Sequence, residues 1–439
     1  MARHLDPRRS QSHQEWTVRT TILRLFRQHN ALWNTKFAES ITQAIGCMVN
    51  VEELVISSGV WFNPISDMCV RSFFQISMSA VRAAFGSTLR SLTLDLSLKT
   101  CSYALMRPSP TFPSLERLRI AFTFREFDRS IEALSSLLCD VLVPFINDHH
   151  PTIEDLNMTF TTYRRCDVTP HLRRIRHLPR LRKLSLNFDL INVNKTGNSG
   201  LRHTLRTHSD ELRQLCLNFP LPHPRTSADI SISQWILQDI GDVPLPQLEL
   251  LDLWTGCGNG LQPAAFLSQF RRSLTTLLLN HIELSYYDVE TIVNVLAGYE
   301  RLRALHISVI RLEPVLFDLF FTKLTTLDFL HVRFRRLYTP NIQLPPDTTE
   351  VKKVSLLYLK SMHLRILGDW KFCQEMRGRL YRDYNLRHLD LRLASPTISV
   401  CELCFCKAAI RSALPDLKML SVLPLGSWED IWGDEKDSG

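Results

Sequence analysis

Four stretches of this chain hold residue types that could do chemistry. The first, "LLDLWTGCGNG" from Leu250 to Gly260, sets an acid, Asp252, before two glycines, Gly256 and Gly258. Glycines after a strand let the backbone approach a bound ligand closely. Glu283 closes the next apolar run. The second, "CELCFC", brings together Cys401, Cys404 and Cys406. Zinc takes four ligands, usually as two separated pairs. No second pair lies nearby, so these thiols are expected to act as small apolar groups in a buried helix. The third is the pair His149-His150 before Pro151, read as a charge at a helix C-terminus rather than a ligand. The fourth, residues 163–184, carries Arg164, Arg165, Arg173, Arg174, Arg176, Arg180, Arg182 and Lys183 against one acid, Asp167. It could hold an acidic partner or nucleic acid. The alternative is a helix with a solvated charged face and Leu172, Ile175 and Leu178 turned inward. There is no H-E-x-x-H, no phosphate-binding P-loop and no G-x-S-x-G turn, so nothing asks for catalysis, a metal or a cofactor.

The elements around these stretches come from a repeat. An apolar residue, two mostly polar ones, leucine, any residue and an apolar one recur at Val51-Leu54-Ile56, Leu89-Leu92-Leu94, Leu115-Leu118-Ile120 and Ile153-Leu156-Met158. The pattern continues at Leu181-Leu184-Leu186, Leu212-Leu215-Leu217, Leu248-Leu251-Leu253, Leu274-Leu277-Leu279 and Leu302-Leu305-Ile307. Leu324-Leu327-Phe329, Val351-Val354-Leu356, Leu386-Leu389-Leu391 and Leu417-Leu420-Val422 complete it. About thirteen copies at a mean spacing of roughly 30 residues mark a solenoid. The alternating end of each unit reads as a short strand with one buried face, which only stacking on neighbours can bury. Segments between copies read as helices. In "SIEALSSLLCDVLVPFI" the apolar face is Ile131, Leu134, Leu138 and Leu142. In "SYYDVETIVNVLAGYERL" Ser285 is the N-cap with Asp288 three residues on, and Val289, Ile292, Val293 and Leu296 share a face. "QPAAFLSQFRRSL" and "WKFCQEMRGRLY" read likewise. Strand and helix in alternation require a parallel sheet.

The repeat resembles the leucine-rich repeat family of the irregular, ribonuclease-inhibitor-like kind. That resemblance implies an α/β horseshoe with about thirteen short parallel strands on the concave side and helices on the convex side. The family's Asn or Cys ladder is poorly kept: Ile282 and Gly256 stand at its positions after Leu279 and Leu253. The glycine stretch is similar to the loop of class I methyltransferases, which implies S-adenosylmethionine as an alternative ligand. Trp254 replaces that loop's first glycine, however, and both strands also belong to the repeat.

The chain has 439 residues, 45% hydrophobic and 22% charged, with a formal charge of +8. No apolar run reaches the roughly 20 residues of a membrane span, and "MARHLDPRRS" reads as no secretory signal. The 11 cysteines lack paired spacing, as in a cytoplasmic or nuclear protein. Residues 1–45 are expected to form an N-terminal segment and helical cap that includes Phe37, Ile41 and Ile45. Residues 46–425 form the array, and 426–439 an acidic, frayed tail.

In such strands the residues flanking the buried leucines face the partner. They are Arg117, Arg119, Asp155, Asn157, Lys183, Ser185, Asn187, Gln214, Asn218, Asp252, Trp254, Asn280, His306, Asp328, His388, Asp390 and Arg392. Both charge signs are interspersed with an indole, which suits a polypeptide better than a phosphate backbone. The expected function is a non-catalytic protein-interaction scaffold with no cofactor, no membrane partner and no nucleic acid. Irregular repeats of this style look like the substrate-binding half of fungal F-box proteins, which implies cullin-RING ubiquitin ligase machinery as a partner. The Leu-Pro opening of an F-box is not found in "WTVRTTILRLFRQHNALW", from Trp16 to Trp33.

Overall fold

A computed structural model describes residues 35–48, 50–57, 67–105, 111–123, 135–161, 169–188, 200–219, 237, 239–254, 261–337, 376, 386–393 and 400–424. The chain divides into two compact units, Met1–Arg164 with Val168–Lys183, and Arg165–Asp167 with Leu184–Gly439. The first holds β1 (Glu53–Ser57), β2 (Ser91–Leu96), β3 (Arg117–Thr123) and β4 (Asp155–Thr161). The second holds β5 (Lys183–Phe188, of which Lys183 counts with the first unit), β6 (Gln214–Asn218), β7 (Leu250–Trp254) and β8 (Thr276–Leu284). It continues with β9 (Ala304–Leu312), β10 (Phe329–Leu337), β11 (His388–Leu393) and β12 (Met419–Pro424). In each unit the strands lie in the order of the chain, and the recorded pairs are parallel. This is the α/β solenoid that the repeat demands.

The register explains why. Leu92 lies opposite Leu118, Leu118 opposite Leu156, Leu251 opposite Leu277, and Leu305 opposite both Leu277 and Leu330. All of these are buried, each contributing roughly 1.5–3 kcal/mol. Alternation adds another buried row that the repeat pattern omitted: Leu96, Phe122, Phe160, Phe219, Val309 and Phe334. Phe122 and Phe160 face each other in register and stack with centroids 5.0 Å apart.

Backbone forks lock adjacent rungs. The carbonyl of Glu52 accepts from both Arg90 N–H and Ser91 N–H, at 2.8 and 2.9 Å. Arg90, Glu116, Glu154, Arg213, Glu249, Thr275, Arg303, Asp328 and Arg387 each act the same way on the strand that follows.

One copy sits in another frame than expected. In "LTTLDFLHV" Leu330 and Val332, not Leu327 and Phe329, pair with Leu305 and Ile307. The triplet is therefore Leu327-Leu330-Val332. Leu324 is still buried, but as the residue closing the preceding helix, Pro314–Lys323. The copy at Val351-Val354-Leu356 lies outside the described residues, as do Ile131, Leu134 and residues 426–439. Among the described residues there are twelve strands.

Helices cover the leucine side. Tyr286–Leu296 starts with the expected capping box: Asp288 N–H donates to Ser285 Oγ at 3.4 Å, and Ser285 N–H to Asp288 Oδ2 at 3.0 Å. Val289, Ile292, Val293 and Leu296 are buried as read. "QPAAFLSQF" forms a helix over Leu261–Leu267 that tightens to a 3₁₀ turn at Ser268–Phe270. At Leu138–Leu142 the chain winds as a π-turn before the α-helix Val143–Asp148. Pro144 accounts for the slip, having no N–H to give the usual acceptor one turn back. The N-terminal helix runs Thr35–Gly46 with Ile45 buried, and "CELCFC" lies on the helix Val400–Ala413.

His149 corrects the sequence reading. It is not a helix-end charge but a buried neutral ring. Its Nε2 accepts from Phe112 N–H at 2.9 Å, and its Nδ1 lies 2.7 Å from the Phe145 carbonyl. Burial holds its pKa below the usual imidazole value. No described helix is long and apolar enough to cross a membrane.

Candidate protein-binding face

Alternation turns three positions of each strand away from the leucine core: the residue before the first buried leucine of the strand, the residue after it, and the residue after the second buried position. The candidate residues fall almost entirely on these rows, in three patches.

In the first unit, Arg117 and Arg119 on β3 are exposed. They lie opposite Asp155 and Asn157 of β4. Lys183 donates to the same acid, its Nζ 3.4 Å from Asp155 Oδ2. Burial pushes the Asp155 carboxyl up, while Lys183, Arg117 and Arg119 pull it back down. Asn157 Oδ1 accepts from Thr159 at 3.4 Å. This patch is charged, mixed in sign and internally compensated.

The second patch belongs to β5–β8. Asn187, Asn218 and Asn280 each follow the second buried leucine of their strand, and Asp252 sits between Leu251 and Leu253. The Oδ1 atoms of all four are buried without a hydrogen-bond donor. Burial pushes Asp252 up to about 6. At Asn280 the ladder bulges: Leu279 pairs with Ile307, and pairing resumes only at Glu283 with Ser308. Ile282, at the family's ladder position, falls inside that bulge. Trp254 ends β7, but its side chain lies outside the described part.

The third patch spans β9–β11 and is aromatic and cationic. His306 stacks on Phe329 at 5.0 Å and on His331 at 5.2 Å, and Phe329 meets His388 at 6.2 Å. His331 Nδ1 is 3.0 Å from Asp390 Oδ2, with side chains only 12% and 14% exposed. Arg335 reaches Glu283 at 3.4 Å. Arg392 lies on β11 beside Arg333; its side chain is outside the described part. Asp328 is the one candidate moved off these rows. It precedes β10, level with Arg303 and Arg387, and works through its backbone carbonyl. The frame shift hid Phe329, His331 and Arg333, which take the facing positions instead.

The other chemical stretches resolve unevenly. Leu172, Ile175 and Leu178 point inward while Arg173, Arg174, Arg176, Arg180 and Arg182 are exposed. The helix there is only the single turn Thr169–Leu172. The loop with Gly256 and Gly258 lies outside the described residues, as do the side chains of Cys401, Cys404 and Cys406. Asp252 pairs with Leu278 across β7 and β8, and Glu283 is engaged by Arg335. A sheet whose strands keep chain order also lacks the strand-order reversal at which doubly wound folds bind cofactors.

No family model matches the chain, and no curated protein is similar to it. Among solved structures, a chain of the crystal structure of the Rad7 and Elc1 complex in yeast aligns with a TM-score of 0.37 and 18% identity, over 73% of this chain and 72% of that one. A likeness that loose carries no argument about the site; the solenoid assignment stands on this chain's own strand register.

Proposed function

We propose that this protein is a protein-interaction scaffold that captures a partner polypeptide on the rows facing away from its leucine core. The carrying observation is the division of labour in each strand. Leucines repeat in strict register on one side, while the other side changes from rung to rung in charge, amide and aromatic content. A uniform frame with a non-uniform face suits recognition of one shaped surface, with aromatic and arginine groups as anchors. On this reading residues 46–425 are the binding array, 1–45 the N-terminal segment and cap, and 426–439 a tail. The finer proposal is that the captured partner is a substrate of a cullin-RING ubiquitin ligase, because the repeat style looks like that of F-box proteins.

Affinity purification with mass spectrometry tests both levels. The full chain recovers a defined protein set, and charge reversal on the facing rows (Arg119→Glu with Asp252→Arg) removes it. Recovery unchanged by those reversals places the binding elsewhere and defeats the scaffold reading. Recovery of partners without cullin components defeats the ligase reading alone.

A further inference from the structure

The β5–β8 patch specifies its partner more closely than the rest of the face. It presents four hydrogen-bond acceptors that no described residue uses. The Oδ1 atoms of Asn187, Asn218, Asp252 and Asn280 are all buried and all lack a donor, whereas native structures pair the great majority of such groups; the other two patches have one such atom each, on Asp155 and Asp390, whose second oxygens are paired with Lys183 and His331. The facing rows from Ser185 to Asn280 include no lysine or arginine to supply one. Beyond the bulge, Glu283 is already engaged by Arg335. The chain as a whole is cationic, at +8; Lys183, at the start of β5, is engaged by Asp155, and among the facing residues from Ser185 to Asn280 the one charged side chain is Asp252. A phosphate or carboxylate placed there would meet that acid; a cation would complement it.

We infer that the β5–β8 face seats an arginine-bearing segment of the protein partner, its guanidinium on Asp252 and the segment's main-chain N–H groups on Asn187, Asn218 and Asn280. The inference rests on the scaffold reading above and deepens it. Neighbouring strands lie ~4.8 Å apart, so Asn218 and Asn280, on the strands either side of β7, lie about 10 Å apart, with Asp252 on the strand between them but two residues back, opposite Cys216 and Leu278. That separation is the reach of three extended residues at roughly 3.3–3.6 Å each. Arginine fits better than lysine because its planar fork carries five N–H donors and can serve a carboxylate and a neighbouring amide oxygen together.

The test pans a random displayed peptide library on the full chain, alongside Asp252→Asn, Asn218→Asp and Tyr287→Ala. Circular dichroism checks that each variant folds. The wild type enriches arginine at one fixed position. A synthetic peptide from that pool binds about ten-fold more weakly to Asp252→Asn. It binds about three-fold more tightly to Asn218→Asp, where a second carboxylate joins the first, and equally well to Tyr287→Ala, an exposed position on the helix Tyr286–Leu296. Enrichment without arginine, or equal affinity for Asp252→Asn, overturns this inference and leaves the scaffold reading standing. Failure to retain any peptide, together with no partner in the affinity purification, overturns both.

Discussion

The faces of β5–β8 and β9–β11 share one frame and differ in how they satisfy themselves. Both stand on leucines in register, Leu251 with Leu277 and Leu305 with Leu330. On β9–β11 the facing groups are largely engaged: His306 stacks on Phe329 and His331, and Asp390 Oδ2 meets His331 at 3.0 Å, leaving only Asp390 Oδ1 without a donor among the described residues. On β5–β8 the Oδ1 atoms of Asn187, Asn218, Asp252 and Asn280 have no donor among the described residues. A carboxylate with a charged or polar partner contributes to the fold, whereas a buried oxygen without one costs the fold. Asp252 and Asp390 each leave Oδ1 without a donor, but only Asp390 has its other oxygen on a partner, His331, so the two aspartates are expected to differ in their stability roles.

The largest expected effect attacks what the two faces share. Leu305→Ala should lower stability by about 2–5 kcal/mol, seen as a fall in Tm. It lies between Leu277 and Leu330, so binding through both faces should weaken together. Loss at one face alone would mean that the faces do not depend on a common core.

Next comes the sign contrast. Burial raises the Asp252 carboxyl from 3.8 to about 6, so the folded chain holds that proton more tightly than the unfolded one. The associated stability is full below about 3.8 and is lost as pH rises through about 6. Asp252→Asn should escape that loss and gain about 2–3 kcal/mol at pH 7, with the gain vanishing below pH ~4. Denaturant melts at the two pH values check it. Asp390→Asn should act in the opposite direction, losing about 1–2 kcal/mol as the partner of His331 weakens. Equal signs at the two positions would dissolve the comparison.

The smallest effect is expected at Phe329→Ala, at about 1 kcal/mol from the ring contacts with His306 and His388. Its more informative readout is selective: ligands seated on β9–β11 should be lost while those on β5–β8 remain.

Much of this frame was legible in the sequence, because burying one face of a short strand leaves a pattern that only leucine-sized residues satisfy. Ser285 with Asp288, and the inward trio Leu172, Ile175 and Leu178, were legible for the same reason: the periodicity is local. The slip at Leu324 arose where apolar residues at 324, 327, 329, 330 and 332 allow two frames, and only pairing with Leu305 decides between them. His149 was misread because its donor, Phe112 N–H, lies far off in sequence. His331 and Asp390 meet across β10 and β11, separated by a long connection that local pattern cannot span. The unpaired oxygens of β5–β8 were likewise invisible, since their burial depends on neighbouring strands rather than on their own.

The carbonyl forks have an evolutionary corollary. Asp328 accepts from Arg387 and His388 as Glu52 does from Arg90 and Ser91, although the intervening stretches differ greatly in length. Each strand takes its alignment from the one before it, independent of how far the chain travels between them. New segments can thus be spliced into the connections, and existing ones lengthened or trimmed, while the inner rows keep their address. In a protein of this build the recognition surface and its outer loops are free to diversify on separate schedules.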